Sequence, residues 1–255
     1  MKRYIEAAVR CEIGRVRKNN EDNLYFCGKT LRQVNAGLTK TRKKKVSSSG
    51  SYFAVYDGMG GEACGEVASY LAAQEGKSCL KAAKKQEMPP KELLLQMCEK
   101  MNARVCEATG KIVGRMGSTV VSALFDGDRV WICNLGDSRA FLLHDGILTQ
   151  ISEDHTDERF NLAMGIKRKP RLTQHLGVFD EELQLEPYLA EHTLQPEDRI
   201  LLCSDGLTDM LFPDEICAIM QQHEDVKACV DQLVETALDR GGKDNTTVIL
   251  CKVKE

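Results

Sequence analysis

In "FAVYDGMGG" and again in "RILLCSDGLTD", an aspartate closes a run of apolar residues, glycine follows, and no returning strand comes after. A carboxylate at the end of a buried strand is poor packing material, but it places one charge at the rim of a core. Asp137 in "VWICNLGDSR" and Asp244 ahead of "NTTVILCKV" share that setting, and Glu21 and Asp22 stand side by side before "NLYFC". If those strand ends converge, their carboxylates repel one another strongly in a low dielectric. Two arrangements relieve the repulsion. Basic side chains can pair with the acids, and Arg17, Arg139 and Lys243 are the nearest; or divalent cations can gather them. Carboxylates without neighbouring His or Cys favour a hard ion, Mg2+ or Mn2+, over zinc. The other two Asp-Gly pairs, Asp126-Gly127 and Asp145-Gly146, have strand on both sides. They read as hairpin turns, with glycine supplying positive φ and the aspartate exposed.

The elements that must position these acids are mostly strands. Residues 3–13, 23–29 and 51–57 are rich in aromatic and β-branched types. Residues 61–85 turn helical, and "PPKELLLQMCEKMNARVCEATG" is a clearer helix, with Pro89 and Pro90 at its start and Leu94, Met97, Met101 and Val105 along one face. The strands "TVVSALF", "RVWICNLG", "SRAFLLHD" and "ILTQIS" then crowd together across very short turns. "RILLCS" precedes helical stretches at 213–222 and 225–239; the second carries Val226, Val230, Leu233, Val234 and Ala237 on one side, and "NTTVILCKV" closes the chain. Strands joined by tight turns are antiparallel, because a parallel pair needs a long crossover. Helices grouped outside such sheets give an α+β layered domain.

The 255 residues, 42% hydrophobic and 29% charged, suit a soluble globular chain, read here as a single domain over 1–255. A net charge of −3 gives no general pull toward nucleic acid or membrane. "MKRYIEAAVR" puts Glu6 and Arg10 where a signal peptide needs an apolar run, and no stretch reaches the length of a membrane span, so a cytoplasmic location is expected. The eleven cysteines include no C-x-x-C spacing; Cys133, Cys203 and Cys251 sit within apolar runs, as small hydrophobes and free thiols do. Residues 29–50 break the pattern, with five cations within 40–45 and a serine run after them. They read as a solvated basic loop inserted between two strands, with docking of an acidic or phosphorylated partner as the other reading.

Seven stretches, "RVRKNNEDN", "FAVYDGMGG", "GSTVVSALF", "ICNLGDSRA", "SEDHT", "LLCSDGLTDML" and "KDNTTVIL", resemble in type and order the motifs of metal-dependent serine/threonine protein phosphatases of the 2C type, the PPM family. Methionine in "DGMGG" matches the bacterial form, and the likeness runs over nearly the whole chain. The resemblance implies two packed antiparallel β-sheets flanked by helices, an α-β-β-α sandwich. It implies hydrolysis of phosphoserine and phosphothreonine in proteins by a metal-bridging water, in signal transduction that opposes Ser/Thr kinases. Mn2+ or Mg2+ would occupy two core positions, with a third, weaker one possible in bacterial members.

Carried over by motif, Asp57 bridges the two core ions and the Gly58 carbonyl adds a ligand; a side chain there would keep that carbonyl from the ion. Asp205 and Asp244 hold one ion, Glu21 holds the other in part through water, and Asp22 orients that water. Asp137 and Asp209 match the third position. Arg17 matches the arginine that grips the substrate phosphate, a bidentate task. The implied partners are phosphorylated proteins, Ser/Thr kinases or their substrates among them, met by a monomer without nucleic acid. Two rivals remain open at this point. A two-metal phosphodiesterase or nuclease needs a basic groove, for which only residues 40–45 qualify, and a catalytically silent phosphoprotein-binding module normally loses metal carboxylates that Asp57, Asp205 and Asp244 retain.

The chain departs from the wider family in two places. Many eukaryotic members carry histidine where Met59 stands, credited with protonating the leaving alkoxide; methionine cannot do so, and a metal-bound water or another acid must serve. His155 in "SEDHT" is read mainly as structural. The flap segment at about 155–175 is also short, looking shorter over 157–171 than in many bacterial members. Gly117-Ser118-Thr119 reads as close packing, Asn245 as support for the turn at Asp244, and Ser138 and Arg139 as residues that orient Asp137 or, for Arg139, meet solvent.

Overall fold

A computed structural model describes residues 3–60, 64–83, 88–110 and 114–255. Of the expected helical segment 61–85, residues 61–63 and 84–85 lie outside the described residues. The elements in chain order are β1 (Tyr4–Glu12), β2 (Asp22–Phe26), β3 (Leu38–Ser47), β4 (Ser49–Met59), α1 (Gly65–Ala83), α2 (Pro90–Thr109), β5 (Gly117–Ser118), β6 (Val120–Asp126), β7 (Arg129–Leu135), β8 (Arg139–His144), β9 (Ile147–Gln150), α3 (Glu158–Met164), β10 (Tyr188–Thr193), β11 (Arg199–Cys203), α4 (Asp205–Thr208), α5 (Pro213–Gln222), α6 (Val226–Asp239) and β12 (Thr246–Lys254).

The strands form two sheets, ordered β3-β1-β12-β11-β8-β9 and β10-β7-β6-β4-β2, with short β5 paired to β4. Every strand pair is antiparallel. The strands read as continuous apolar runs because both faces of each sheet are covered. Successive side chains point to opposite faces. Thus Phe53 and Val55 of β4 enter the core between the sheets, whereas Tyr52, Ala54 and Tyr56 meet α1 and α2. In β12, Ile249, Cys251 and Val253 face the other sheet, and Val248 and Leu250 face α6. A one-residue slip would exchange these sets. The expected helical faces are the buried ones: Leu94, Met97, Met101 and Val105 of α2, and Val226, Val230, Leu233, Val234 and Ala237 of α6, are each at most 1% exposed. Pro90 occupies the first turn of α2, and the Asp225 side chain caps α6 by accepting from the Lys227 and Ala228 amides. The layered α-β-β-α sandwich is borne out.

The basic segment differs from expectation. Residues 38–47 form strand β3, paired along β1, and are not a loop. Its lysines suit it to an edge, where charge discourages pairing with another chain. Two are held by internal partners: Lys43 Nζ stands 3.5 Å from Glu6 Oε2 and 2.5 Å from Asp225 Oδ2, and Lys45 Nζ lies 3.2 Å from the centre of the Tyr4 ring. Two other elements lack an apolar signature, the edge strand β10 and the solvent-covered helix α3. Among the described residues no helix is long and apolar enough to cross a membrane.

Candidate active site

The Asp-Gly pairs divide in the structure as their flanks suggest. Gly127 and Gly146 have φ of 70° and 78°, and Asp126 and Asp145 are exposed, so these are turns. Gly58 and Gly206 do not have positive φ; a Cβ on either would stand 2.0 Å from a backbone oxygen, that of Gly65 or of Asn245. Neither contact could relax without moving the chain. Glycine therefore lets α1 close on β4 and lets the start of α4 close on Asn245 just before β12, bringing the adjacent aspartates together. At Gly58 the crowding comes from the Gly65 and Glu21 backbones.

Arg17, Glu21, Asp57, Gly58, Asp137, Asp205 and Asp244 line one cleft of 450 Å³, together with Met59, Thr119, Lys169 and His175. A larger hollow, 580 Å³, lies between α2 and residues 178–185 and contains none of these acids, so size alone does not mark the site. Asp57 sits at the end of β4, its amide receiving support from Thr119 Oγ1 at 3.1 Å, and Thr119 in turn bonds Ser138 at 2.7 Å. Asp22 pairs opposite Asp57 in the β2–β4 register and lies behind the cleft, 1% exposed. Its Oδ2 accepts from Ser204 (2.8 Å) and Thr247 (2.6 Å), and its Oδ1 is buried without a partner. Asp209 caps α4 beside Asp205 and lines the adjoining hollow with Asp137 and Asp205.

Asn245 does more than support a turn. Its Oδ1 accepts from the Glu21 amide at 2.8 Å, and its Nδ2 donates to the carbonyls of Ile13 and Asn19 at 2.9 and 3.0 Å. It ties the start of β12, with Asp244, to the loop that carries Arg17 and Glu21. Ser138 supports Thr119, and Arg139 forms a fork on Asp154, with contacts of 2.9 and 2.5 Å, while its side chain stays 28% exposed to solvent. His155 accepts from the Gly136 amide at 3.2 Å and lines a separate hollow, in keeping with a structural role.

The acids strain against their own proximity. Burial raises the Asp57 carboxyl well above its ordinary value, and Asp22, Asp205, Asp137 and Asp244 push the same way. Burial, then Asp205, raises Asp137 to about 6, and burial raises Asp22 to about 7 despite its two hydroxyl donors. Two cations answer part of this charge. Arg17 Nη2 donates to Asp244 Oδ2 at 2.5 Å and its Nη1 stands 3.9 Å from Glu21 Oε2, while Lys169 Nζ donates to Asp205 at 2.8 Å and Asp209 at 3.0 Å. Held in this way, the acids form no ready-made cage of three or more ligands among the described residues. Yet crowded carboxylates, an orphaned buried oxygen and a glycine cradle fit divalent cations far better than they fit an apolar ligand.

Sequence reasoning missed Lys169 and His175. Lys169 belongs to "KRKPR" in the segment closed by the Thr156–Leu172 bridge, and nothing local says which of those cations turns inward. Among the described residues His175 is the one histidine lining the cleft.

The comparisons agree with this geometry. The family model for protein phosphatase 2C matches residues 40–245. The serine/threonine protein phosphatase PstP of Mycobacterium tuberculosis is 32% identical over 96% of this chain, which spans 44% of that protein's length. The serine/threonine phosphatase stp of Listeria welshimeri is 30% identical over 96% of this chain and 95% of its own. A crystal structure of the PstP catalytic domain in complex with two manganese ions superposes with a TM-score of 0.74 at 30% identity, covering 99% of this chain and 100% of that one. The chain belongs to the protein phosphatase 2C family.

Proposed function

We propose that this chain hydrolyses phosphoserine and phosphothreonine in proteins, using divalent cations held by Glu21, Asp57, Gly58, Asp205 and Asp244. The observation that carries the reading is the meeting of these residues, from distant parts of the chain, in one cleft beside Arg17. Cations bound there supply acidification of an attacking water and neutralisation of the phosphoryl charge. Asp57, paired opposite Asp22 in the β2–β4 register and lining the cleft with Asp205 and Asp244, would serve two ions. Asp22 acts from behind, where its orphaned Oδ1 gives it a free acceptor. Arg17, freed from Asp244 once that acid takes an ion, grips the phosphate. Manganese is supported by the PstP complex, and Mg2+ suits the same hard oxygen donors.

A diesterase or nuclease is disfavoured because no residue of β3 lines the cleft, so the basic strand offers no track to the acids. A silent binding module is disfavoured by the full set of carboxylates. The substrates are phosphorylated proteins, kinases or their targets among them, met by a monomer, and eleven free thiols suit a reducing, cytoplasmic setting. Release of inorganic phosphate from a phosphothreonine peptide should require Mn2+ and stop with a chelator. Release that persists in chelator, or faster cleavage of a phosphodiester, would overturn the reading.

A third ion at Asp137, Asp205 and Asp209 must displace Lys169, whose ammonium already answers two of those acids. Lys169→Gln should therefore bind a third Mn2+ about 3- to 10-fold more tightly, the scale of partly exposed ion pairs. Calorimetric titration reads this directly, and an unchanged third affinity would show that Lys169 does not compete.

A further inference from the structure

Met59 follows Asp57 and Gly58 at the cleft and cannot donate a proton, and the structure puts a histidine beside that methionine from a distant segment. β5 pairs Gly58 with Ser118 and Met59 with Gly117. On its other side Ser118 exchanges two backbone hydrogen bonds with Leu176, at 2.8 and 3.1 Å. The ends of β4 and β5 and the bridge residue Leu176, with His175 before it, therefore form a small patch at the cleft wall. Gly117 is its centre: a Cβ there would stand 2.7 Å from Met59 Cε and 2.8 Å from His175 Nδ1. The missing side chain lets the imidazole and the thioether close over the glycine. His175 thus lines the same cleft as Arg17, Asp57 and Asp244.

The ring is oriented by its own chain. His175 Nδ1 lies 2.9 Å from the Leu176 carbonyl oxygen, which can only accept, so Nδ1 carries the proton and Nε2 is the nitrogen that titrates. The charged groups flanking it away from the acids are Arg115 and Glu182, paired with each other at 3.0 and 2.5 Å. Toward the acids it shares the cleft with Arg17, Lys169 and Arg171 and with Glu21, Asp57, Asp137, Asp205 and Asp244. Burial sets its basicity below the ordinary histidine value, so near neutral pH the imidazolium is the minor form and a strong donor when it forms.

We propose that His175 is the general acid of this site, donating its Nε2 proton to the serine or threonine oxygen as the ester breaks. Water adds its oxygen to phosphorus. The P–O ester pair leaves with the side-chain oxygen, which takes the imidazolium proton and departs as a neutral alcohol. The proton lost by the water passes to solvent, and His175 regains one from solvent. The inference rests on the phosphatase reading above, and its test separates the two.

The Mn2+-loaded wild type, His175→Ala and His175→Gln are each assayed on a phosphothreonine peptide and on p-nitrophenyl phosphate. An alkoxide needs a proton to leave and p-nitrophenolate does not. The ratio of peptide kcat to aryl kcat should fall about 100-fold in both variants, the scale of a lost general acid. Partial unfolding lowers both rates together and cannot move that ratio. A ratio within twofold of wild type overturns the proposal while leaving the phosphatase reading intact, and a wild type inert on both substrates overturns both. Nitrogen NMR of the histidine-labelled, metal-free protein gives a readout apart from activity. The neutral ring of His175 should carry its proton on Nδ1, and an Nε2–H tautomer would contradict the assignment.

Discussion

Asp57→Asn should lower turnover of a phosphothreonine peptide by at least about 10³-fold and at the same time raise the Tm of the metal-free protein. Both effects come from one charge. Asp57 shares the cleft with Glu21, Asp137, Asp205 and Asp244, and an amide carries no charge with which to hold two cations. Without cations that charge is a liability. Burial and the surrounding acids raise its folded pKa above the unfolded value, so the carboxyl's contribution to stability is fully present below the unfolded value of about 4 and is lost as pH rises through the folded one. The Tm gain of the asparagine variant should therefore be clear at pH 8 in chelator and fade toward pH 4. Near-native turnover, or a variant less stable than wild type at pH 8, would remove Asp57 from the role given to it.

Arg17→Ala should raise KM for the phosphopeptide by about 10- to 100-fold, since a charged hydrogen bond contributes roughly 1.5–3 kcal/mol. Arg17→Lys should recover only part, because an ammonium cannot offer the planar fork that matches phosphate. The structure adds a second, opposite effect. Arg17 now occupies Asp244, so its removal frees that acid, and Mn2+ affinity should be equal to or tighter than wild type while substrate binding weakens. A loss of metal affinity together with an unchanged KM would mean that Arg17 organises the acid cluster and does not hold phosphate.

The sandwich was legible because its strands are buried on both faces. The apolar runs around Tyr56 and Leu250 mark such strands in the sequence itself, and turns as short as Asp145-Gly146 leave no room for parallel crossovers. The acids were legible through contrast: one class of Asp-Gly pair has strand on both sides and the other does not, and the crowding at Gly58 and Gly206 supplies the physical reason. β3 was not legible. Its neighbour β1 supplies the hydrogen bonds, its outer face meets solvent, and a run of lysines carries no period-2 signal. Lys169 and His175 were missed for a different reason. Each reaches the site only through tertiary pairing, Lys169 from the segment closed by Thr156 and Leu172, and His175 through the Ser118–Leu176 bridge. Arg139 shows the converse, a cation close to Asp137 in sequence that the fold commits to Asp154.

The most direct test is a crystal of this chain grown with Mn2+ and measured at the manganese absorption edge. Two anomalous peaks should lie at the Asp57 carboxylate, one toward Glu21 and one toward Asp205 and Asp244, with the Arg17–Asp244 pair broken. A map without peaks there, in which Arg17 still holds Asp244 and Lys169 still holds Asp205, would contradict the account.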